Sequence, residues 1–95
     1  MATVLPLQYF NIGPSIGKSY FEDLQGGTNA TVTVNNEGTF PIDLVLTRVN
    51  APLTTYTIPA GSSLTLAVGL LLVAALLTSA EGGTFGTIRL AVDSL

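Results

Sequence analysis

The sequence predicts an all-β domain: a small antiparallel β-sandwich of jelly-roll type that carries an extended N-terminal arm. Six or seven short runs alternate apolar residues with Thr or other small residues, spaced about ten residues apart with turn residues between them, the pattern of a sandwich or barrel. The chain is rich in Thr and β-branched residues, which suit a pleated, half-buried surface. Its 95 residues make one domain, without material for a second independent core.

Residues 1–17 read as the arm and residues 18–95 as the sandwich domain. Val4, Leu5, Leu7, Tyr9, Phe10 and Ile12 are apolar, but Pro6 and the pair Gly13-Pro14 rule out a helix through them. Proline confines such an extended segment to a sheet edge or an unpaired stretch. Residues 18–24 form a short strand or a turn of helix, closed by Gly26-Gly27, which would serve as a pliant joint between arm and sandwich. Ala30-Thr31-Val32-Thr33-Val34 is a strand that stops at the turn cluster Asn35-Asn36-Glu37-Gly38. Phe40, Ile42, Leu44 and Leu46 share one face of the next strand, with Pro41, Asp43, Val45 and Thr47 on the other. Asn50-Ala51-Pro52 breaks that run. Tyr56 and Ile58 alternate with Thr55 and Thr57 up to the turn Pro59-Ala60-Gly61; Leu64, Leu66 and Val68 alternate with Ser63, Thr65 and Ala67. Residues 70–79 are apolar on both faces if extended, and strand and short helix both stay open there. After Glu81-Gly82-Gly83 turns the chain, Ile88, Leu90 and Val92 alternate with Thr87, Arg89 and Ala91, and would pack against Phe40, Ile42, Leu44 and Leu46.

Charged residues are only 9% of the chain and hydrophobic ones 47%, so it is not a disordered sequence. Three cations against six anions give a net charge of −3, which leaves no basic footprint for nucleic acid. Histidine and cysteine are both absent. With them go the commonest general base, the thiolate nucleophile and the tight zinc or copper ligands. No enzyme, catalytic residue, cofactor or metal site is expected. The acids Glu22, Asp23, Asp43, Glu37, Glu81 and Asp93 fall mostly in turns and near termini. No Asp-x-Asp-x-Asp-Gly calcium loop occurs. Gly82-Gly83-Thr84-Phe85-Gly86 lacks the lysine and the following helix of a phosphate loop and reads as a turn. Asn29-Ala30-Thr31 fits a glycosylation sequon, a chance match if, as expected, no secretory signal directs the chain.

Residues 53–80 carry no charge, and the core of that stretch approaches the length of a membrane span. Against a span stand Pro59, Gly61 and Gly69, the lack of flanking basic or aromatic anchors, and the strand patterns on both sides. No membrane partner is expected. The first six residues have neither a basic region nor a long apolar run, so no secretory leader is expected either.

Two features do not fit a simple monomer: the arm, and apolar residues on both faces of residues 70–77 and at Val45. An exposed sheet edge is a template for an added strand, and an apolar extended terminus is a natural donor to it. The arm docks on a neighbour, folds back in cis, or frays. Extended at about 3.3 Å per residue, it would reach roughly 50 Å. Docked on a neighbour it makes a head-to-tail contact, which closes into rings or runs on as a filament.

The sequence resembles the endospore appendage (Ena-type) fibre subunits of spore-forming bacteria. The resemblance runs through Thr31-Val32-Thr33-Val34-Asn35-Asn36, Tyr56-Thr57-Ile58-Pro59-Ala60-Gly61, Ser63-Leu64-Thr65-Leu66 and Gly83-Thr84-Phe85-Gly86-Thr87-Ile88. It implies a jelly-roll whose N-terminal connector docks into neighbouring subunits. It also implies a spore-surface, extracellular fibre whose subunits lack a classical signal peptide, with an exosporium anchor protein and a tip protein as further partners. The better-known appendage types are cross-linked through cysteines; this chain, having none, resembles a disulfide-free, fine-fibre kind attached to the exosporium. Ile12-Gly13-Pro14-Ser15 resembles the Ile-Gly-Pro-Thr core of exosporium-targeting leaders. On this reading the chain is a structural subunit polymerising by N-terminal strand donation, with Val4, Leu5, Leu7, Tyr9, Phe10 and Ile12 at the subunit interface and Gly26 and Gly27 as hinge. The alternatives are a phage or virion decoration or tail structural protein, and a small lectin-like module. The lectin reading is weakened by the absence of Trp and the presence of only three Tyr.

Overall fold

The structure, a computed structural model, describes residues 2–22 and 27–93. Eight strands follow one another: β1 (Ala2–Val4), β2 (Gln8–Ile12), β3 (Gly17–Glu22), β4 (Thr28–Asn36), β5 (Ile42–Arg48), β6 (Thr54–Ile58), β7 (Ser63–Thr78) and β8 (Thr84–Asp93). Every pairing between them is antiparallel.

The long strand β7 organises the fold. Its first half pairs with β4, from Asn35↔Ser63 to Ala30↔Val68. Its second half pairs with β3 on one side and β5 on the other, for example Ser19↔Ala75 and Val45↔Ala75. One layer is therefore β1 and β2 in line, then β8, β4 and the first half of β7. The other is β3, the second half of β7, β5 and β6. This is the strand arrangement of a jelly-roll, with two neighbouring strands fused into β7.

A strand of this length serves two layers only if it bends, and bulges supply the bend. Between Thr28 and Ala30 of β4, β7 runs from Leu71 to Val68, one residue more than its partner. Leu70 sits in this bulge with φ 52°, a left-handed conformation that costs a non-glycine residue free energy. Polar contacts hold it: Leu70 N donates to Asn29 Oδ1 at 3.0 Å, Val49 N donates to Leu70 O at 3.0 Å, and Arg48 Nε donates to Gly69 O at 2.9 Å. A second shift, between Thr47 and Arg48 of β5, restores the inward register. Residues 70–79 are thus extended rather than helical, and their two apolar faces follow from these changes of register. No helix among the described residues is long and apolar enough to cross a membrane.

The interior is one apolar cluster drawn from both layers. Val32 and Val34 of β4, Ile42, Leu44 and Leu46 of β5, Ile58, Leu71, Leu76, Ile88 and Leu90 are all buried. Val92 packs against that cluster from its margin. Phe40 departs from its expected place in the inward row. It lies half-buried in the bend before β5, with its ring so close to Gly82 that a Cβ there would come within 2.6 Å of it. Asn36 departs from the turn reading as well, since it is the buried last residue of β4. Its Nδ2 donates to the carbonyls of Phe40 and Ile58 at 2.8 and 3.1 Å. Its Oδ1 accepts from Gly38 N at 3.2 Å and from Thr84 Oγ1 at 2.6 Å. A buried amide is tolerated only with its partners in place, and here they tie the bend, the end of β6 and the start of β8 together.

Candidate assembly site

The N-terminal segment lies along β8 of its own chain. β1 pairs as Ala2↔Asp93 through Val4↔Ala91, and β2 as Gln8↔Ile88 through Ile12↔Thr84. The two are one edge strand interrupted by a slip. From Val4 to Gln8 the segment advances four residues while β8 advances three, from Ala91 to Ile88. Pro6, which has no N–H to give, sits in the slip, and Leu5 N reaches Leu90 O at 2.8 Å.

The alternation of β2 decides which side chains enter the body. Phe10 and Ile12 point inward and are 3% and 5% exposed. Tyr9, opposite Thr87, points outward at 78% exposure, and Val4 and Leu7 are also exposed while Leu5 is half-buried against the core. Opposite Phe10 stands Gly86. A Cβ on Gly86 would collide with the Asn35 carbonyl oxygen and come 3.0 Å from Phe10 Cζ, so glycine makes the seat for the ring. Phe10 meets Tyr20 edge to face, ring centroids 6.4 Å apart, and Gln8 Nε2 donates to Tyr20 O at 3.0 Å. Burial pushes the Tyr20 hydroxyl pKa above its ordinary value of 10, and Lys18 Nζ lies 5.4 Å from its ring centroid.

The chain leaves β2 through residues 13–16, where Ser15 has φ 57°. Thr78 fastens this turn. Its hydroxyl donates to Gly13 O and accepts from Ile16 N at 3.0 Å, while Thr78 N donates to Ile16 O at 3.0 Å. In the sequence the only trace of Thr78 is a hydroxyl in the inward register of an apolar strand, and Gly86 shows there only as part of the run Gly82-Gly83-Thr84-Phe85-Gly86 read as a turn. Of the two expected hinge glycines, Gly26 lies outside the described residues. Gly27 has φ 79°, and a Cβ there would come 2.8 Å from Leu70 O, so the bulge of β7 packs directly against it.

The segment is held on its own chain by main-chain hydrogen bonds and by two buried apolar side chains, Phe10 and Ile12. Among the described residues no three acidic, histidine or cysteine side chains gather to hold a metal ion. No known family model matches the chain, and no curated protein matches it. The fold is similar to that of a solved chain from Bacillus endospore appendages, described as a novel family of disulfide-linked pili. The two superpose with a TM-score of 0.71 over 97% of this chain and 88% of that one, at 16% sequence identity.

Proposed function

We propose that this chain is a structural subunit of a self-assembling extracellular fibre, a spore appendage or pilus-like filament. In it, the N-terminal segment of one copy takes, on its neighbour, the place it holds in cis along β8. One observation carries the reading: an edge strand that is covalently peripheral supplies two core side chains, Phe10 and Ile12, to a seat made by other elements. Such a strand exchanges between identical copies without loss of contacts, and exchange in one direction produces an open filament. The similarity to an appendage chain supports the same reading.

Residues 1–17 act as the connector and residues 18–95 as the body; with β3 paired to β7 the connector leaves the body at residues 13–16, and Gly26-Gly27 is a joint between β3 and β4, where Gly27 packs against the bulge. The arm residues Val4, Leu5, Leu7, Tyr9, Phe10 and Ile12 then lie at the junction between copies, with Phe10 and Ile12 turned into the neighbour's core and Val4, Leu7 and Tyr9 turned outward. Disulfide links of the kind named for the structural neighbour are closed to a chain without cysteine. Strand pairing and apolar plugs have to hold this fibre. An anchor in the exosporium and a tip protein complete the assembly at its ends.

Because the chain has no cysteine of its own, a cross-link tests the exchange cleanly. Asn11 and Phe85 face each other across β2 and β8, both exposed. An Asn11→Cys chain and a Phe85→Cys chain, unfolded together, refolded as a mixture and oxidised, should give a covalent heterodimer. Heterodimer absent from the mixture, with an internal disulfide forming when both cysteines share one chain, would overturn strand donation.

A further inference from the structure

The way out of β2 is pinned at both ends and open in the middle. Before the turn, Gly13 is fixed by its seat. A Cβ on Gly83 would collide with the Ile12 carbonyl oxygen and come 2.8 Å from Gly13 Cα, and Thr78 Oγ1 donates to Gly13 O. After the turn, Ile16 is fixed to β7: its N–H donates to Thr78 Oγ1 at 3.0 Å, and its carbonyl accepts from Thr78 N at 3.0 Å. Between these points lie Pro14 and Ser15, both exposed, with Ser15 N donating to Ser79 O at 3.0 Å. Proline holds its own φ at about −65°, and Ser15 follows with φ 57°. A proline followed by a residue of positive φ is the order of a type II turn, whose third position calls for glycine or asparagine. Serine occupies it here, and its exposed side chain gains no burial in return for a conformation that crowds its Cβ.

We infer that Pro14-Ser15 is the hinge of strand exchange, and that the left-handed Ser15 sets the balance between the arm closed on its own body and the arm donated to a neighbour. This rests on the strand-donation reading, since it concerns where the donated strand parts from its own body. When the turn closes, the arm returns along its own β8 and Ser15 bears the left-handed conformation. When the arm runs on to a second copy, Pro14-Ser15 extends and that restriction is lifted. Gly13 of the incoming arm then meets Gly83 and Thr78 of the receiving copy as it meets its own. The contacts of β1 and β2 are common to both forms, so the turn is where the two differ. Extended, the three residue steps from Gly13 to Ile16 span about 10 Å at most. Donor and recipient therefore meet at the rim that carries Thr78 and Gly83.

Ser15→Gly and Ser15→Val test the hinge at an exposed position, away from the core. Glycine takes a positive φ without steric cost and should favour closure. A β-branched residue is an outlier there and should favour the extended, donated form. Each change is carried on both chains of the Asn11→Cys and Phe85→Cys mixture, which is refolded to equilibrium over a range of concentrations and then oxidised. Relative to chains with Ser15, the concentration that gives half-maximal heterodimer should rise about fivefold with glycine and fall by a similar factor with valine. Urea unfolding of each chain checks the fold. A role confined to stability would move the unfolding midpoints and leave the half-maximal concentrations equal. Equal values, or a shift in one direction for both variants, would overturn the hinge and leave strand donation in place. Heterodimer from the valine chains alone would uphold the hinge and remove strand donation by the unaltered chain. Heterodimer from none of the three would remove both.

Discussion

Replacing Phe10 with alanine tests whether residues 8–12 are part of the body's core. The ring is 3% exposed, seated over Gly86 and against the edge of Tyr20. Cutting it back removes a buried aromatic from an enclosed seat, which costs about 3–5 kcal/mol in comparable cores. A domain of this size is stable by only about 5–15 kcal/mol, so the loss is a large share of the whole. At a urea slope of about 1.5 kcal/mol per M, the unfolding midpoint should fall by about 2–3 M with little change of slope. Tyr9→Ala is the internal control: one residue away, 78% exposed, it should change stability by no more than about 0.5 kcal/mol. Equilibrium urea unfolding of both variants, followed by far-ultraviolet circular dichroism at a fixed protein concentration, reads the difference. If Phe10→Ala costs no more than Tyr9→Ala, β2 does not fill the core and the account of the edge strand fails.

Asn36→Ala should cost about 3 kcal/mol, because it strips partners from the Phe40 and Ile58 carbonyls and the Thr84 hydroxyl in a buried setting. Thermal unfolding measures that loss, and a change under 1 kcal/mol would mean the bend is held by something else. Alkaline pH gives a third check through Tyr20, whose folded pKa is raised by burial. Above about pH 10 the unfolded chain releases this proton more readily than the folded one. The stability contributed by Tyr20 is therefore complete below the unfolded value and lost as pH rises through the folded one. Tyr20→Phe should flatten the decline in urea midpoint above pH 10; an unchanged decline would assign it to other groups.

Much of this architecture was legible in the sequence because alternation is a direct print of strand register. The inward rows Ile42-Leu44-Leu46 and Ile88-Leu90, and the turn around Pro59-Ala60-Gly61, fall where the pattern puts them. Residues 70–79 resisted reading because two register shifts in one strand move apolar residues from one face to the other, and a period-two pattern that changes phase looks like no pattern. Gly69 marked the place as a break, but the bend depends on Asn29 and Arg48, which come from other strands. Asn36 sat in a cluster of turn residues, and only the carbonyls gathered around it reveal a buried clasp. In the arm, Phe10 and Ile12 were visible as an apolar pair, yet their seat is made by Gly86 some seventy-five residues later, and no local pattern encodes such a match.

Negative-stain electron microscopy of the purified chain in plain buffer tests the central claim most directly. A subunit that donates its N-terminal strand to the next copy should form long, thin filaments of a single width, without added partners or oxidants. Monodisperse monomers or closed rings over the same concentrations would contradict a self-assembling fibre. Either result would transfer weight to a protein that decorates a preassembled particle.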